Sequence, residues 1–224
     1  SRLSAGGTVF CFQDGAKHVK NDKVNLSSSG APKRTGDNRL PGDLTGEQIV
    51  ERMLRVDHAG EYGAVRIYAG QLAVLGRDGA GQNDTRKSDI ASVIREMAEA
   101  ENKHLETFDK LLVERQTRPT LLAPFWHVAG FALGAGSALM GPRAAMACTA
   151  AVEEVIEEHY ASQVEQLGDD EAELRQTLEE FRADEAEHKE IGLAHEAERA
   201  PGYEPLSAAI KRGTRLAIWL SERI

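Results

Sequence analysis

A glutamate followed three residues later by a histidine occurs twice within helical patterns, in AENKHLETF (100–108) and in DEAEHKEIG (184–192). Three residues is close to one helical turn, so Glu101–His104 and Glu185–His188 each occupy a single helix face. That face is otherwise apolar. Ile94, Met97, Phe108 and Leu111 flank the first pair, and Leu174, Leu178, Phe181 and Gly192 flank the second. Two further helical patterns carry one mid-stripe glutamate each: Glu61 among Leu54, Val65, Tyr68 and Leu72, and Glu153 among Met146, Thr149, Ile156 and Tyr160. A carboxylate facing a core must be paired, protonated or bound to metal. No Lys or Arg shares these stripes. Any fold of this chain therefore has to bring positive charge to four inward glutamates.

The spacing of breakers and caps places the helices. A first helix is expected over about 47–75, capped by Thr45, and a second over about 88–116, stopped by TRP at 117–119. A third runs from about Pro142 to Leu167, with proline suited to the first turn. A fourth covers about 170–198, and a short last helix about 206–222. Residues 76–89 read as a polar loop. The chain has 224 residues with 41% apolar content, enough for one domain with a core, and few strand-forming runs. Two helix pairs joined by one long apolar crossover make an all-α, four-helix bundle with an extra C-terminal helix over 46–224.

Residues 1–45 hold seven Lys/Arg against four Asp/Glu and lack an apolar period. They are expected to form a disordered basic tail and resemble a transit-segment remnant. The formal charge is −9, so the remainder carries −12, which argues against a nucleic-acid partner. Cys11 and Cys148 build neither a disulfide framework nor a thiolate site, and Cys148 reads as a small buried hydrophobe.

Four carboxylates are balanced by two divalent cations, with two neutral imidazoles completing the shells. Oxygen-rich sites with one nitrogen per metal suit iron or manganese. The order Glu61, Glu101/His104, Glu153, Glu185/His188 resembles that of ferritin-like di-iron proteins. One Glu-x-x-His alone reads equally as a solvated contact; the ordered set does not. His58 and His159 are expected behind the ligands, orienting them, with ordinary helix packing as the alternative. Tyr160 is a candidate redox or proton relay, or a plain core residue. Glu154, Glu157 and Glu158 are expected to face solvent, and His18 and His195 to be ordinary.

Residues 120–141, TLLAPFWHVAGFALGAGSALMG, match a membrane span in length. Crossing is excluded by the ligands. His104 lies about 20 Å before one helix end and Glu153 about 17 Å after the next helix start. A bilayer core of about 30 Å between them would split the site. The crossover is expected in the membrane surface, where Leu121, Phe125, Trp126, Phe131 and Leu133 provide membrane contact and substrate access; core burial is the alternative. GFALGAG lets another helix or a flat ligand approach closely.

RVDHAGEYGAVRIYAGQLAVLGR (55–77), RPTLLAPFWHVAGFALGAGSALMGPRAAMACTAAVEE (118–154) and AIWLSERI (217–224) resemble the demethoxyubiquinone hydroxylase family. The resemblance spans about 47–224, and all six of the family's ligand positions are matched in type by the residues above. It implies a di-iron monooxygenase that hydroxylates a polyprenylated demethoxyubiquinol, the 2-polyprenyl-3-methyl-6-methoxy-1,4-benzoquinol, in the penultimate step of ubiquinone biosynthesis. O2 and NADH would be the co-substrates. It further implies an oligomer, peripheral on the matrix side of the mitochondrial inner membrane, with a lipid-binding partner protein and a biosynthetic complex. No dinucleotide fingerprint supports direct NADH docking. A membrane-associated di-iron quinol oxidase, a ferritin-like iron-binding protein and an inert helical bundle are the rivals.

Overall fold

The computed structural model describes residues 40, 42–76 and 85–224. The chain divides into residues 1–43 and 44–224, and the account concerns the second unit. Expectations for the basic tail, with Cys11 and His18, and for residues 78–84 lie outside the described residues.

Six helices follow in order: α1 (Gly46–Leu75), α2 (Thr85–Glu114), α3 (Ala123–Leu139), α4 (Pro142–Gln166), α5 (Ala172–Ala194) and α6 (Tyr203–Ser221). Helix α1 begins in a capping box. Thr45 Oγ1 accepts from Gln48 N–H at 3.1 Å, and Gln48 Oε1 accepts from Thr45 N–H at 2.9 Å. Two donors that a helix start leaves unpaired are thereby satisfied. Pro142 opens α4, preceded by Gly141 at φ 114°, a region that favours glycine.

Two boundaries differ from the sequence expectation. Helix α2 starts at Thr85, inside the expected loop. The expected 170–198 helix ends at Ala194. Glu196 takes φ 63°, and two 3₁₀ turns, Asp169–Glu171 and Ala197–Arg199, flank α5. The carboxylate of Glu196 draws in Arg86, Arg143 and Arg199, which holds the chain in this bend.

Helices α1, α2, α4 and α5 form the bundle, with α1 on α2 and α4 on α5 as the closely packed pairs. The apolar core falls into two clusters. One gathers Leu54, Phe108, Ile156, Leu174 and Leu178; the other gathers Leu75, Ile94, Met97 and Met146. The stripe glutamates lie between them. Cys148 belongs to the first cluster, and burial pushes its thiol up to about 12, as expected for an inert hydrophobe.

The crossover is a single helix, α3, laid along α1. Pro124 sits in its first turn, where it removes no helical hydrogen bond. Its glycines are contact points, not weak spots. A Cβ at Gly134 would stand 1.9 Å from Ile67 O, and one at Gly70 would stand 2.2 Å from Phe131 O. The two backbones thus meet where one of them lacks a side chain. Tyr62 Oη lies 2.6 Å from His127 Nδ1, and the Arg66 guanidinium lies 5.2 Å from the Phe131 ring centroid, which adds polar and cation–π ties along the seam. No helix among the described residues is long and apolar enough to cross a membrane.

Gly134→Ala is expected to destabilise the protein by about 1–3 kcal/mol, because backbone atoms cannot yield to the new methyl. Gly136, in the same helix, has open space at its Cβ. Gly136→Ala is expected to stabilise by about 0.5–1 kcal/mol. Urea unfolding of both variants checks the sign of each change.

Candidate metal centre

The four stripe glutamates lie at one level of the bundle. Their exposures are 0% for Glu61, Glu101 and Glu185 and 1% for Glu153. His104 and His188 are also buried. Donor atoms of Glu61, Glu101, His104 and Glu185 lie within 4.8 Å of one another, and so do those of Glu101, Glu153, Glu185 and His188. The structure therefore brings together all six residues singled out by the spacing. They form two overlapping cages that share Glu101 and Glu185.

The inward atoms of these cages lack ordinary partners. Both carboxylate oxygens of Glu101 and of Glu185, Oε2 of Glu61 and of Glu153, and Nδ1 of both histidines are buried without a hydrogen bond. His188 Nδ1 is 2.9 Å from Glu101 Oε1, and His104 Nδ1 is 3.3 Å from Glu185 Oε1, yet neither contact has hydrogen-bond alignment. Buried polar atoms are rarely left unsatisfied. Donor atoms that converge without hydrogen-bond partners suit a cation, so carboxylate oxygens and imidazole nitrogens in this ratio fit a hard to borderline divalent metal.

The outward atoms are held. His104 Nε2 lies 3.0 Å from Asp184 Oδ2, and its ring stacks on Phe181 with centroids 3.9 Å apart. These contacts fix the ring and aim Nδ1 inward. Tyr68 donates to Glu153 Oε1 at 2.7 Å, and Tyr160 donates to Glu61 Oε1. Each non-shared glutamate thus has one oxygen anchored by a phenol and one oxygen free.

Without a cation the cluster is electrostatically strained. Burial, then the charges of Glu185 and Glu61, hold the Glu101 carboxyl well above the usual range. Burial and Glu185 do the same for Glu153, and burial raises Glu185. Burial alone would lower the His104 imidazole, but the facing carboxylates of Glu185 and Glu61, 3.3 and 3.5 Å from Nδ1, outweigh it and raise it to about 10. Tyr68 and Tyr160, buried beside carboxylates, are pushed well above the usual phenol value and remain donors.

Other expected residues sort differently. Tyr160 touches the site directly. His58 Nε2 instead meets Asp109 Oδ1 at 3.0 Å. His159 Nε2 lies 3.3 Å from Asp57 Oδ1, which also accepts from Gln163 Nε2 at 2.8 Å. Both histidines contact acidic groups one turn away from the glutamates on α1 or across on α2. Glu154, Glu157 and Glu158 point away from the cluster and pair with Lys211, Lys189 and Arg215. Tyr68 and Asp184 are the site residues that spacing did not single out. Tyr68 had a signal: a phenol two turns from Glu61 on a core stripe needs a hydrogen-bond partner.

An apolar cavity of about 250 Å³ lies beside the cluster, between α1, α3, α4 and α6. Gly60, next to Glu61, and Val152, next to Glu153, line it. Gly60 and Gly63 have open space at Cβ and keep the cavity wide. Of the five access residues, Trp126 and Leu133 line this cavity, while Leu121 and Phe125 are exposed. Phe131 is half-buried under Arg66, so it and Leu133 do not supply the outward surface expected of them.

The family model described as Ubiquinone biosynthesis protein COQ7 matches residues 48–221. The 3-demethoxyubiquinol 3-hydroxylase of Rhodospirillum rubrum is 54% identical over 203 residues, 91% of either chain. The NADPH-dependent 3-demethoxyubiquinone 3-hydroxylase, mitochondrial, of Homo sapiens is 51% identical over 186 residues, 81% of either chain. The 5-demethoxyubiquinone hydroxylase, mitochondrial, of Saccharomyces cerevisiae is 38% identical over 191 residues, 79% of this chain and 78% of that one.

The raised carboxyls give a definite pH dependence to the metal-stripped protein. A folded-state pKa above the unfolded one means the folded state holds more protons, so stability is greatest below the unfolded pKa and is lost as pH rises. Glu101, Glu153 and Glu185 begin this loss above about pH 4.3, and His104 extends it from about pH 6.5 upward. The melting temperature of the stripped protein should fall between about pH 5 and pH 8. Glu101→Gln should flatten that slope; a slope unchanged by the substitution contradicts the assignment.

Proposed function

We propose a function from one premise: the chain belongs to the ubiquinone biosynthesis protein COQ7 family, whose model it matches over residues 48–221. It is a demethoxyubiquinol ring hydroxylase of ubiquinone biosynthesis, the activity its relatives are named for. The observation that carries the reading is the pair of overlapping cages with unsatisfied inward atoms. The substrate is the 2-polyprenyl-3-methyl-6-methoxy-1,4-benzoquinol, and the reaction is the penultimate step of the pathway.

Two iron ions would be held there. Glu61 and His104 would help hold one and Glu153 and His188 the other, with Glu101 and Glu185 available to both. When bound, a ferrous pair supplies O2 with two electrons together, which ring hydroxylation requires. The chain does the rest. Tyr68 and Tyr160 each hold one oxygen of a non-shared glutamate, so only the other oxygen turns inward. Asp184 and Phe181 keep His104 in register. Val152, Ile156 and Leu133 exclude water from the cavity wall next to the glutamates. The quinol ring occupies this cavity. Reducing equivalents come from a nicotinamide; NADH is the expectation from resemblance, and NADPH is the cofactor in the human relative's name.

The outer faces of α3 and α6 support a membrane-surface location. Leu121, just before α3, and Phe125 and Val128 on α3 are 74%, 60% and 66% exposed, and Leu216 and Trp219 on α6 are 56% and 51%. Arg215 and Arg223 stand among them. Apolar side chains rimmed by cations suit the headgroup region of a bilayer, where a polyprenyl substrate resides. The proposed setting is the matrix side of the mitochondrial inner membrane, in an oligomer with a lipid-binding partner protein and the biosynthetic complex.

Glu153→Ala should lose bound iron and ring hydroxylation to background while keeping its helix content by circular dichroism. Product analysis of the wild type decides the chemistry: a hydroxylated ring supports the proposal, and quinone formation with water alone contradicts it. Phe125→Asp combined with Leu216→Asp should weaken liposome partitioning by about tenfold or more, since each buried side chain of this size contributes about 1.5–3 kcal/mol. Iron content should stay unchanged.

A further inference from the structure

One end of the cavity lining carries a side-chain bridge between α3 and α6. Trp126 on α3 and Ser221 on α6 both line it, and Trp126 Nε1 donates to Ser221 Oγ at 3.0 Å. An indole N–H has no other use for its hydrogen, and Ser221 is buried. Helices α3 and α6 are not otherwise closely packed; α1 and α4 carry the main contacts of each. Beyond the bridge, Leu121 N, just before α3, reaches the C-terminal Ile224 O at 3.4 Å.

The bridge lies where the exposed apolar surface converges. Leu121 and Phe125 precede Trp126 on α3, Trp219 and Leu216 precede Ser221 on α6, and all four are exposed. At the cavity's other end Leu133 and Gly213 face each other, deeper along both helices. The volume of about 250 Å³ falls below the ~300–1,000 Å³ of pockets that enclose whole drug-sized ligands. It suits a substituted ring and leaves no room for a polyisoprenoid chain.

We propose that the Trp126–Ser221 hydrogen bond is a latch on the cavity's apolar end, broken when the substrate's isoprenoid tail passes between α3 and α6. This inference rests on the quinol-pocket reading above. When made, the latch ties α3 to α6 beside an empty or ring-filled cavity. A long tail occupies the gap that the bridge spans, so binding a tailed quinone must give up the hydrogen bond, and binding the same ring without a tail must not. Trp126 and Ser221 are thus positioning residues that make affinity depend on the tail.

The test uses the full iron-loaded chain as wild type, Ser221→Ala, Trp126→Phe and the double variant. Two oxidised quinones with the same ring serve as probes in detergent micelles, one with a decaprenyl tail and one with a methyl group in its place. Calorimetric titration reads Kd for each. A net hydrogen bond of about 0.5–1.5 kcal/mol predicts that either single variant binds the tailed quinone about two- to tenfold more tightly. The tailless quinone should bind with unchanged Kd. The double variant should match the singles, because both remove one bond. In turnover, KM should fall for the tailed quinol and not for the tailless one. Equal changes for both probes, or additive effects in the double variant, overturn the latch. Wild type binding neither quinone also overturns it. Binding without ring hydroxylation sinks only the assigned reaction, and the Kd comparison still decides the latch.

Discussion

Mutual repulsion among four buried carboxylates is the constraint on which the rest of this structure depends. Glu61, Glu101, Glu153 and Glu185 sit where an apolar core would otherwise be continuous. Desolvation and like charge both oppose ionisation of Glu101, Glu153 and Glu185, and no lysine or arginine offsets them. Such an arrangement persists only because the bundle is stable above and below it and because cations can neutralise it. Stability is given up locally so that ligand atoms converge with nothing else to bind.

The surroundings follow from that centre. The two phenols and Asp184 each hold the outer side of a ligand, so the inner atoms cannot swing to solvent for relief. The apolar cavity opens next to two of the same glutamates, and glycines on α1 rather than bulky side chains leave it room. Helix α3 roofs this cavity with one side and turns its apolar opposite side outward. The apolar cavity thus lies between the exposed apolar residues of α3 and α6 and the chain neighbours of Glu61 and Glu153.

Much of this was legible in the sequence, because periodicity carries it. The six residues fall on core stripes at helical spacing, and a stripe with charge in its middle has few explanations. The bundle order followed from Thr45, Pro142 and the breakers between helices. What escaped depends on contacts between residues far apart in the chain. Tyr68 meets Glu153 and His104 meets Asp184 across 85 and 80 positions, and no local pattern announces such pairs. The glycines of α3 announced a close approach by another helix or a flat ligand, and Gly134 against Ile67 and Gly70 against Phe131 are where the backbones of α3 and α1 touch. Phe131 and Leu133 looked like outward residues because a uniformly apolar helix gives no sign of which side faces in. Glu196 broke the fifth helix through three arginines, two of them on other helices.

Anaerobic titration with ferrous iron, followed by Mössbauer spectroscopy and metal counting, addresses the charge-neutralisation claim most directly. The account requires two ferrous ions per chain, both high-spin with oxygen-rich shells, and loss of the pair when the shared Glu185 is replaced by alanine. A chain that takes up no iron, or a single isolated ion, would contradict it.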